Sequence, residues 1–270
     1  MKKIVILLTL LTLIAVPVVA KKGNKITVAG STTVLPIAQA TAEVFMNNNP
    51  EINISVRGGG SSVGIAAIMA GTVDIGNASR HIKAKELASA REQGINPYEN
   101  VVANDGIVIV INKNNNVKDL TLEQVKDIYT GKIRNWKEVG GPSLPIVVIS
   151  RDVSSGTFEV FNKIVLNNAK SIDGALMLAS NNAVISTTAT TPGAIGYAGL
   201  GYLNETVNAV KINGIMPSKA TIQSLQYPIA RTLHMYTNGA PKRLVKKYID
   251  FILSAEGQKI VEEQGFISVK

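Results

Sequence analysis

Short apolar runs alternate along the chain with stretches of helical period. "KITVAG" (Lys25–Gly30) is β-rich. "PIAQATAEVFMNN" (Pro36–Asn48) has helical spacing, with proline in the favoured first turn. "INISVRG" (Ile52–Gly58) alternates apolar and polar positions, and "SVGIAAIMAG" (Ser62–Gly71) predicts a helix ended by glycine. "VDIGNAS" (Val73–Ser79) predicts a short buried strand and "AKELASAREQG" (Ala84–Gly94) an amphipathic helix. "GIVIVIN" (Gly106–Asn112) is nearly continuously apolar, the pattern of a strand buried on both faces. The second half continues with a helix over Thr121–Tyr129, a strand over Ile146–Ser150 and a helix over Thr157–Leu166. Strands over Gly193–Leu200, Val207–Gly214 and Arg231–Gly239 follow, then two terminal helices. Repeated strand–helix units predict an α/β protein with a largely parallel sheet, and this many elements suit two domains better than one.

The first twenty residues, "MKKIVILLTLLTLIAVPVVA", depart from that rhythm. Two lysines precede an apolar stretch that ends in small side chains, the build of a secretory signal peptide. The stretch is shorter than the roughly 20 residues that span a bilayer comfortably. Residues 1–20 are therefore expected to be a cleaved leader, with an uncleaved anchor as the alternative, and the rest to lie outside the membrane, periplasmic or at the cell surface. The absence of cysteine excludes disulfides, thiol catalysis and lipidation of an N-terminal cysteine. With 46% hydrophobic residues in 270, core packing must stabilise the exported protein.

The net charge of +9 suits an anionic ligand, but the cations are scattered. The one dense run, "PKRLVKK" (Pro241–Lys247), reads as a solvated helix face. Aromatics at 5% argue against a stacking platform for single-stranded nucleic acid, and no nucleic-acid partner is expected.

Four loops share one composition: "GSTTVLP" (Gly30–Pro36), "GGGSSVG" (Gly58–Gly64), "GNASRHI" (Gly76–Ile82) and "RDVSSGT" (Arg151–Thr157). Each follows a predicted strand and precedes a predicted helix, so each lies at the carboxyl end of the sheet, where α/β proteins bind ligands. A helix start offers unpaired N–H groups and the positive end of a dipole. Hydroxyls add donors, glycine admits close backbone approach, and arginine presents a planar fork that matches two oxygens of a tetrahedral oxyanion. Any one loop reads as an ordinary serine or threonine cap. Four together, two of them with an arginine, point to an anion site.

Competing chemistry finds no support. The chain has no G-x-x-x-x-G-K-[ST] phosphate loop, no dinucleotide fingerprint with its ribose acid and no G-x-S-x-G elbow. Neither of the two histidines, His81 and His234, has a metal partner at ligand spacing, so no metal and no cofactor are expected. His81 beside Arg80 lacks an evident orienting carboxylate and is a poor base for a nearby serine. His234 in "TLHMY" reads as a strand residue.

The segments "VAGSTTVLPIA", "GGGSSVGIAAIMAGTVDIGNASR", "LEQVKDIYTGKIRNWKEVGG", "ISRDVSSGTFEVF" and "PGAIGYAGL" occur in that order. Together they resemble the phosphate-binding proteins of high-affinity phosphate ABC importers, in their shorter form, from Lys25 to about Gly265. The resemblance implies a two-lobed periplasmic-binding-protein-like fold of type II, each lobe a mostly parallel sheet flanked by helices. It implies a monomeric, non-enzymatic carrier that closes on inorganic phosphate and delivers it to an ABC permease complex. The lobes would comprise residues 25–104 with 230–270, and residues 105–229, with crossings near Asn104–Ile107 and Tyr227–Thr232.

Transferred by motif, the resemblance implies that Thr32, Thr33 and Ser61 donate to the ion and that Arg151 forks onto two of its oxygens. Ser155, Gly156 and Thr157 would give amides and hydroxyls. The longer bacterial relatives place an aspartate in the third loop, where it accepts the proton of hydrogen phosphate. Here Ser79 and Arg80 fill that place, so two arginines would face the ion, and Asp74 and Asp152 are the candidate acceptors. This departure keeps open a carrier of sulfate, molybdate or tungstate. A secreted phosphoesterase with Ser155 or Thr157 as nucleophile would need a base or metal cluster that the sequence does not offer. A surface sensor or adhesin on the same fold is the remaining alternative. Trp136 in "TGKIRNW" is expected to pack at a turn.

Overall fold

A computed structural model describes residues 23–270; the expected leader lies outside them. The strands are β1 (Lys25–Gly30), β2 (Asn53–Gly58), β3 (Ile75–Ala78), β4 (Pro97–Asn112), β5 (Asp119–Leu120), β6 (Val147–Arg151), β7 (Leu176–Leu178), β8 (Ala194–Gly199), β9 (Val207–Ala209), β10 (Lys211–Ile212) and β11 (Ala230–Asn238). The helices are α1 (Leu35–Asn48), α2 (Ser61–Met69), α3 (Ala84–Glu92), α4 (Leu122–Thr130), α5 (Gly156–Ile164), α6 (Asn181–Thr190), α7 (Lys219–Gln223), α8 (Arg243–Ile252) and α9 (Ala255–Glu263).

One mixed sheet runs in the order β2-β1-β3-β11-β4-β8-β6-β7, with β9 also on β4. Its two ends, β2-β1-β3 and β8-β6-β7, are parallel, as the strand–helix alternation predicts. Its middle is antiparallel, because β11 and β4 run against their neighbours. β4 is 16 residues long and serves both ends. Pro97–Gly106 pairs with β11, and Ile107–Ile111 pairs with β8.

The apolar side chains divide accordingly. One cluster, with Ile26, Ile37, Phe45, Met235 and Tyr248, packs β1, β3 and β11 under α1, α8 and α9. A second, with Ile109, Tyr129, Trp136, Phe161 and Tyr197, packs the β4–β8–β6 side against α4 and α5. Trp136 is fully buried at the start of a short turn, and its Nε1–H donates to the Gly193 carbonyl at 2.8 Å. In α8 the basic run lies outward while Tyr248, Ile249 and Ile252 turn inward, which makes it a solvated face.

Packing of the second cluster reaches the fourth loop directly. The Phe161 ring on α5 stacks on Tyr197 of β8 with centroids 3.9 Å apart. The Tyr197 hydroxyl accepts the Arg151 N–H at 3.1 Å and bonds the Ser150 hydroxyl at 2.8 Å. Burial pushes the Tyr197 phenol up to about 12, so it remains protonated at neutral pH. The aromatic stack thus fixes the end of β6, from which Arg151 projects.

Candidate functional site

The four loops converge. Thr32, Thr33, Ser61, Ser79, Arg151, Ser155 and Thr157 are all buried. Burial of so many hydroxyls is costly unless each finds partners, and here they bond one another across the loops. Thr33 Oγ1 lies 3.0 Å from Thr157 Oγ1, joining the first loop to the fourth. Ser61 Oγ accepts the Ser79 N–H at 2.9 Å and lies 3.3 Å from Ser79 Oγ, joining the second to the third. The helix starts are differently prepared. No side chain of the described residues caps α1 or α2; backbone carbonyls accept there instead, Ser31 from the Leu35 N–H at 3.1 Å and Ser154 from the Ser62 N–H at 3.0 Å. Ser155 caps α5 by accepting the Phe158 N–H at 3.2 Å, and its own proton stays free to donate.

Arg151 joins the cluster through Thr32. Its Nε donates to the Leu178 carbonyl at 3.0 Å, and its Nη2 donates to the Ala179 carbonyl at 2.9 Å and to Thr32 Oγ1 at 3.1 Å. Its Nη1 is buried without a hydrogen-bond partner among the described residues. Burial pulls the guanidinium below its ordinary value, with Asp152 acting in the opposite direction. A buried cation held in place by its other bonds, with a spare donor, has the chemistry to accept an anion.

Gly156 brings the loops together. A Cβ there would lie 2.3 Å from Ser61 Oγ and 2.8 Å from Ser79 Oγ. We expect Gly156→Ala to force the second and fourth loops apart. Overpacking of this kind costs about 1–3 kcal/mol, so anion affinity should fall about tenfold or more by calorimetry. An unchanged affinity would mean that these loops need not meet to bind.

The structure adds residues that the sequence did not reveal. Asn181, first residue of α6, donates from Nδ2 to Thr33 Oγ1 at 3.1 Å and to Thr32 Oγ1 at 3.3 Å. Arg231, at the start of β11, donates from Nη1 to Thr157 Oγ1 at 3.0 Å and to the Ser79 carbonyl at 3.3 Å. Its Nε and Nη2 grip Asp105 Oδ2 at 2.9 and 2.8 Å. Asp105 also accepts the Leu200 N–H at 2.9 Å. Burial pushes the Asp105 carboxyl up and the Arg231 guanidinium down, and each partner opposes the other's shift. The Tyr202 hydroxyl donates to the Thr32 carbonyl.

Three sequence expectations fare differently. Arg80 does not join the cluster. It faces Glu86 at 2.8 Å and Glu159 at 3.0 Å and donates to Ser62 Oγ at 3.1 Å. Two carboxylates compete for it more strongly than neutral hydroxyls can. Asp74 accepts the Thr27 N–H and hydroxyl at 2.7 and 2.8 Å, before β3 begins and so away from its loop end. Asp152 accepts the Ser154 N–H at 2.8 Å and the Ser154 hydroxyl, shaping the loop rather than facing the cluster. In their place Arg231 is the second arginine at the cluster, and Asp105 is the carboxylate joined to it.

Comparison with known proteins agrees with this geometry. Residues 16–256 match the family described as "PBP superfamily domain". The chain is 37% identical over 251 residues to the phosphate-binding protein PstS of Bacillus subtilis, covering 92% of this chain and 82% of that one. It is 34% identical to the PstS of Borreliella burgdorferi over the full length of both. Among solved structures, a putative phosphate ABC transporter substrate-binding protein from Clostridium perfringens, with bound phosphate, superposes with a TM-score of 0.85 at 39% identity. That match covers 92% of this chain and all of that one. An ABC-type phosphate transport receptor from Vibrio cholerae gives 0.74 at 30% identity, covering 90% of this chain and 99% of that one. The loops, the shared sheet and these matches lead to one conclusion: the chain belongs to the periplasmic-binding-protein superfamily, among its PstS-type phosphate-binding proteins.

Proposed function

We propose that the protein is an exported, non-enzymatic carrier that captures inorganic phosphate between two lobes and hands it to an ABC permease complex, working as a monomer without nucleic acid. The observation that carries this reading is the buried Arg151, joined through Thr32 to the cluster of loop hydroxyls and with its Nη1 unpartnered among the described residues. Thr32, Thr33, Ser61, Ser79, Ser155, Gly156 and Thr157 would exchange their mutual bonds for bonds to the ion, with Asn181 and Arg231 alongside. A micromolar dissociation constant corresponds to about −8 kcal/mol, which several charge-assisted hydrogen bonds of about 1.5–3 kcal/mol each can supply. The lobes would be residues 25–104 with 230–270, and residues 105–229. Support comes from β4, whose pairing passes from β11 to β8 between Gly106 and Ile107.

A second reading, a carrier of sulfate or another tetrahedral oxyanion, has one observation in its favour. Among the described residues, the side-chain partners of the cluster hydroxyls include no carboxylate. Sulfate brings no proton and needs no acceptor. Calorimetric titration of protein stripped of ligand by unfolding and refolding separates the two. Tight phosphate binding with negligible sulfate binding is expected. Comparable binding of both ions, or none of phosphate, would overturn the phosphate assignment.

A further inference from the structure

The chain's two histidines, 153 positions apart and without metal partners in the sequence, meet beside the anion site. Their rings lie 4.6 Å apart between centroids. His81 stands in the loop after β3, His234 on β11, and Glu99 between them on β4. Glu99 Oε1 lies 2.9 Å from His81 Nδ1 and 3.1 Å from His234 Nδ1. The expectation that neither histidine has a ligand partner therefore fails in three dimensions, because sheet pairing supplies what sequence spacing does not. The carboxylate missing beside His81 is Glu99.

We propose that His81, Glu99 and His234 form a binding site for one divalent cation of the zinc class. Two imidazoles and a carboxylate are the ligand set of an open tetrahedral zinc site, whose fourth position is left to solvent. Candidate ligand atoms of all three residues lie within 4.8 Å of one another. Tetrahedral Zn–N and Zn–O bonds of about 2.1 Å place neighbouring ligand atoms about 3.4 Å apart. The observed 2.9 and 3.1 Å need only open by a few tenths of an ångström.

The outer contacts are those of a metal site rather than of an accidental ion pair. His234 is fully buried, and its Nε2 lies 3.0 Å from Thr232 Oγ1. That contact orients the ring and leaves Nδ1, which has no hydrogen-bond partner among the described residues, facing Glu99. The Tyr236 hydroxyl donates to Glu99 Oε1 and accepts the Ile82 N–H at 2.9 Å, fixing the carboxylate. Tyr236 sits directly across from Glu99 in the β11–β4 ladder, and a register shift between Leu233 and His234 sets His234 opposite Val101.

The two histidines also line a cavity of about 380 Å³ shared with Arg80, Lys163 and Arg231. Those cations would repel a metal ion if left bare. Arg80 is neutralised by Glu86 and Glu159 and Arg231 by Asp105, while Lys163 is exposed, where solvent screens its charge. His81 is 72% exposed and open to the entering ion.

Titration of untagged, phosphate-free protein with zinc chloride in a non-coordinating buffer tests the proposal. One saturable site per chain is expected. His81→Ala, at an exposed position, should weaken it at least about tenfold and leave metal-free phosphate binding unchanged. Glu99→Gln should weaken it similarly. Cobalt(II) should give the intense visible absorption of a tetrahedral site in the parent protein and not in His81→Ala. No saturable zinc binding, or equal binding by parent and both variants, would overturn the site without touching the phosphate reading.

Discussion

Replacing Arg151 by lysine is expected to weaken phosphate binding by about 100-fold while leaving the fold intact. The guanidinium holds its position through two backbone carbonyls and the Thr32 hydroxyl, and it keeps Nη1 in reserve. Lysine brings the same charge at one point. It cannot hold the Leu178 and Ala179 carbonyls and reach two oxygens of an ion together. The loss of one or two charge-assisted bonds, at about 1.5–3 kcal/mol each, sets the magnitude. Calorimetry on the stripped protein reads the affinity, and a thermal melt checks the fold. Arg151→Lys with parental affinity would remove Arg151 from the site.

The second large effect falls on stability. Asp105 is fully buried and Arg231 nearly so. Asp105→Asn removes the charge that Arg231 faces and strands a cation in the interior. Breaking a buried pair in this way costs about 3–5 kcal/mol, because the remaining charge keeps its desolvation penalty. For a chain of this size the melting temperature should fall by roughly 10 °C. The pair itself contributes less than that figure, since attraction and desolvation nearly cancel. Asp105→Leu combined with Arg231→Met should therefore recover part of the loss. A melting temperature unchanged in Asp105→Asn would mean that water or another group already neutralises Arg231.

Residues whose role is local were the ones legible in the sequence. Glycine, serine and threonine between a β-rich run and a helical run mark a strand–helix loop by chain geometry alone, and all four such loops lie where that reading puts them. Residues whose role depends on pairing were hidden. Asp105 stands in "NDG", a turn signal, yet it lies inside β4 and meets Arg231 at a sequence separation of 126. The first half of β4, "PYENVVAND", lacks a clean alternation because its buried positions include Asn100 and Asp105, satisfied by partners on other strands and loops. Asn181 had a weak signal: Ser180 caps α6 at a polar-to-apolar boundary. Arg80 misled because it stands in the right loop, but Glu159 arrives from α5 to claim it.

The unbroken course of β4 has a mechanical consequence. Two lobes joined by slack linkers would swing freely, and capture would have to overcome the disorder of the open state. Here the same strand is laddered to β11 over one stretch and to β8 over the next. Motion of the two lobes we propose would then bend and twist a hydrogen-bonded ribbon at Gly106–Ile107, much as a leaf spring flexes at its clamp. Such a spring has a rest angle. Asp105, clamped by Arg231 and by the Leu200 N–H immediately before the flex point, helps to set it. In the carrier we propose, ion affinity would then depend on backbone elasticity as well as on the donors.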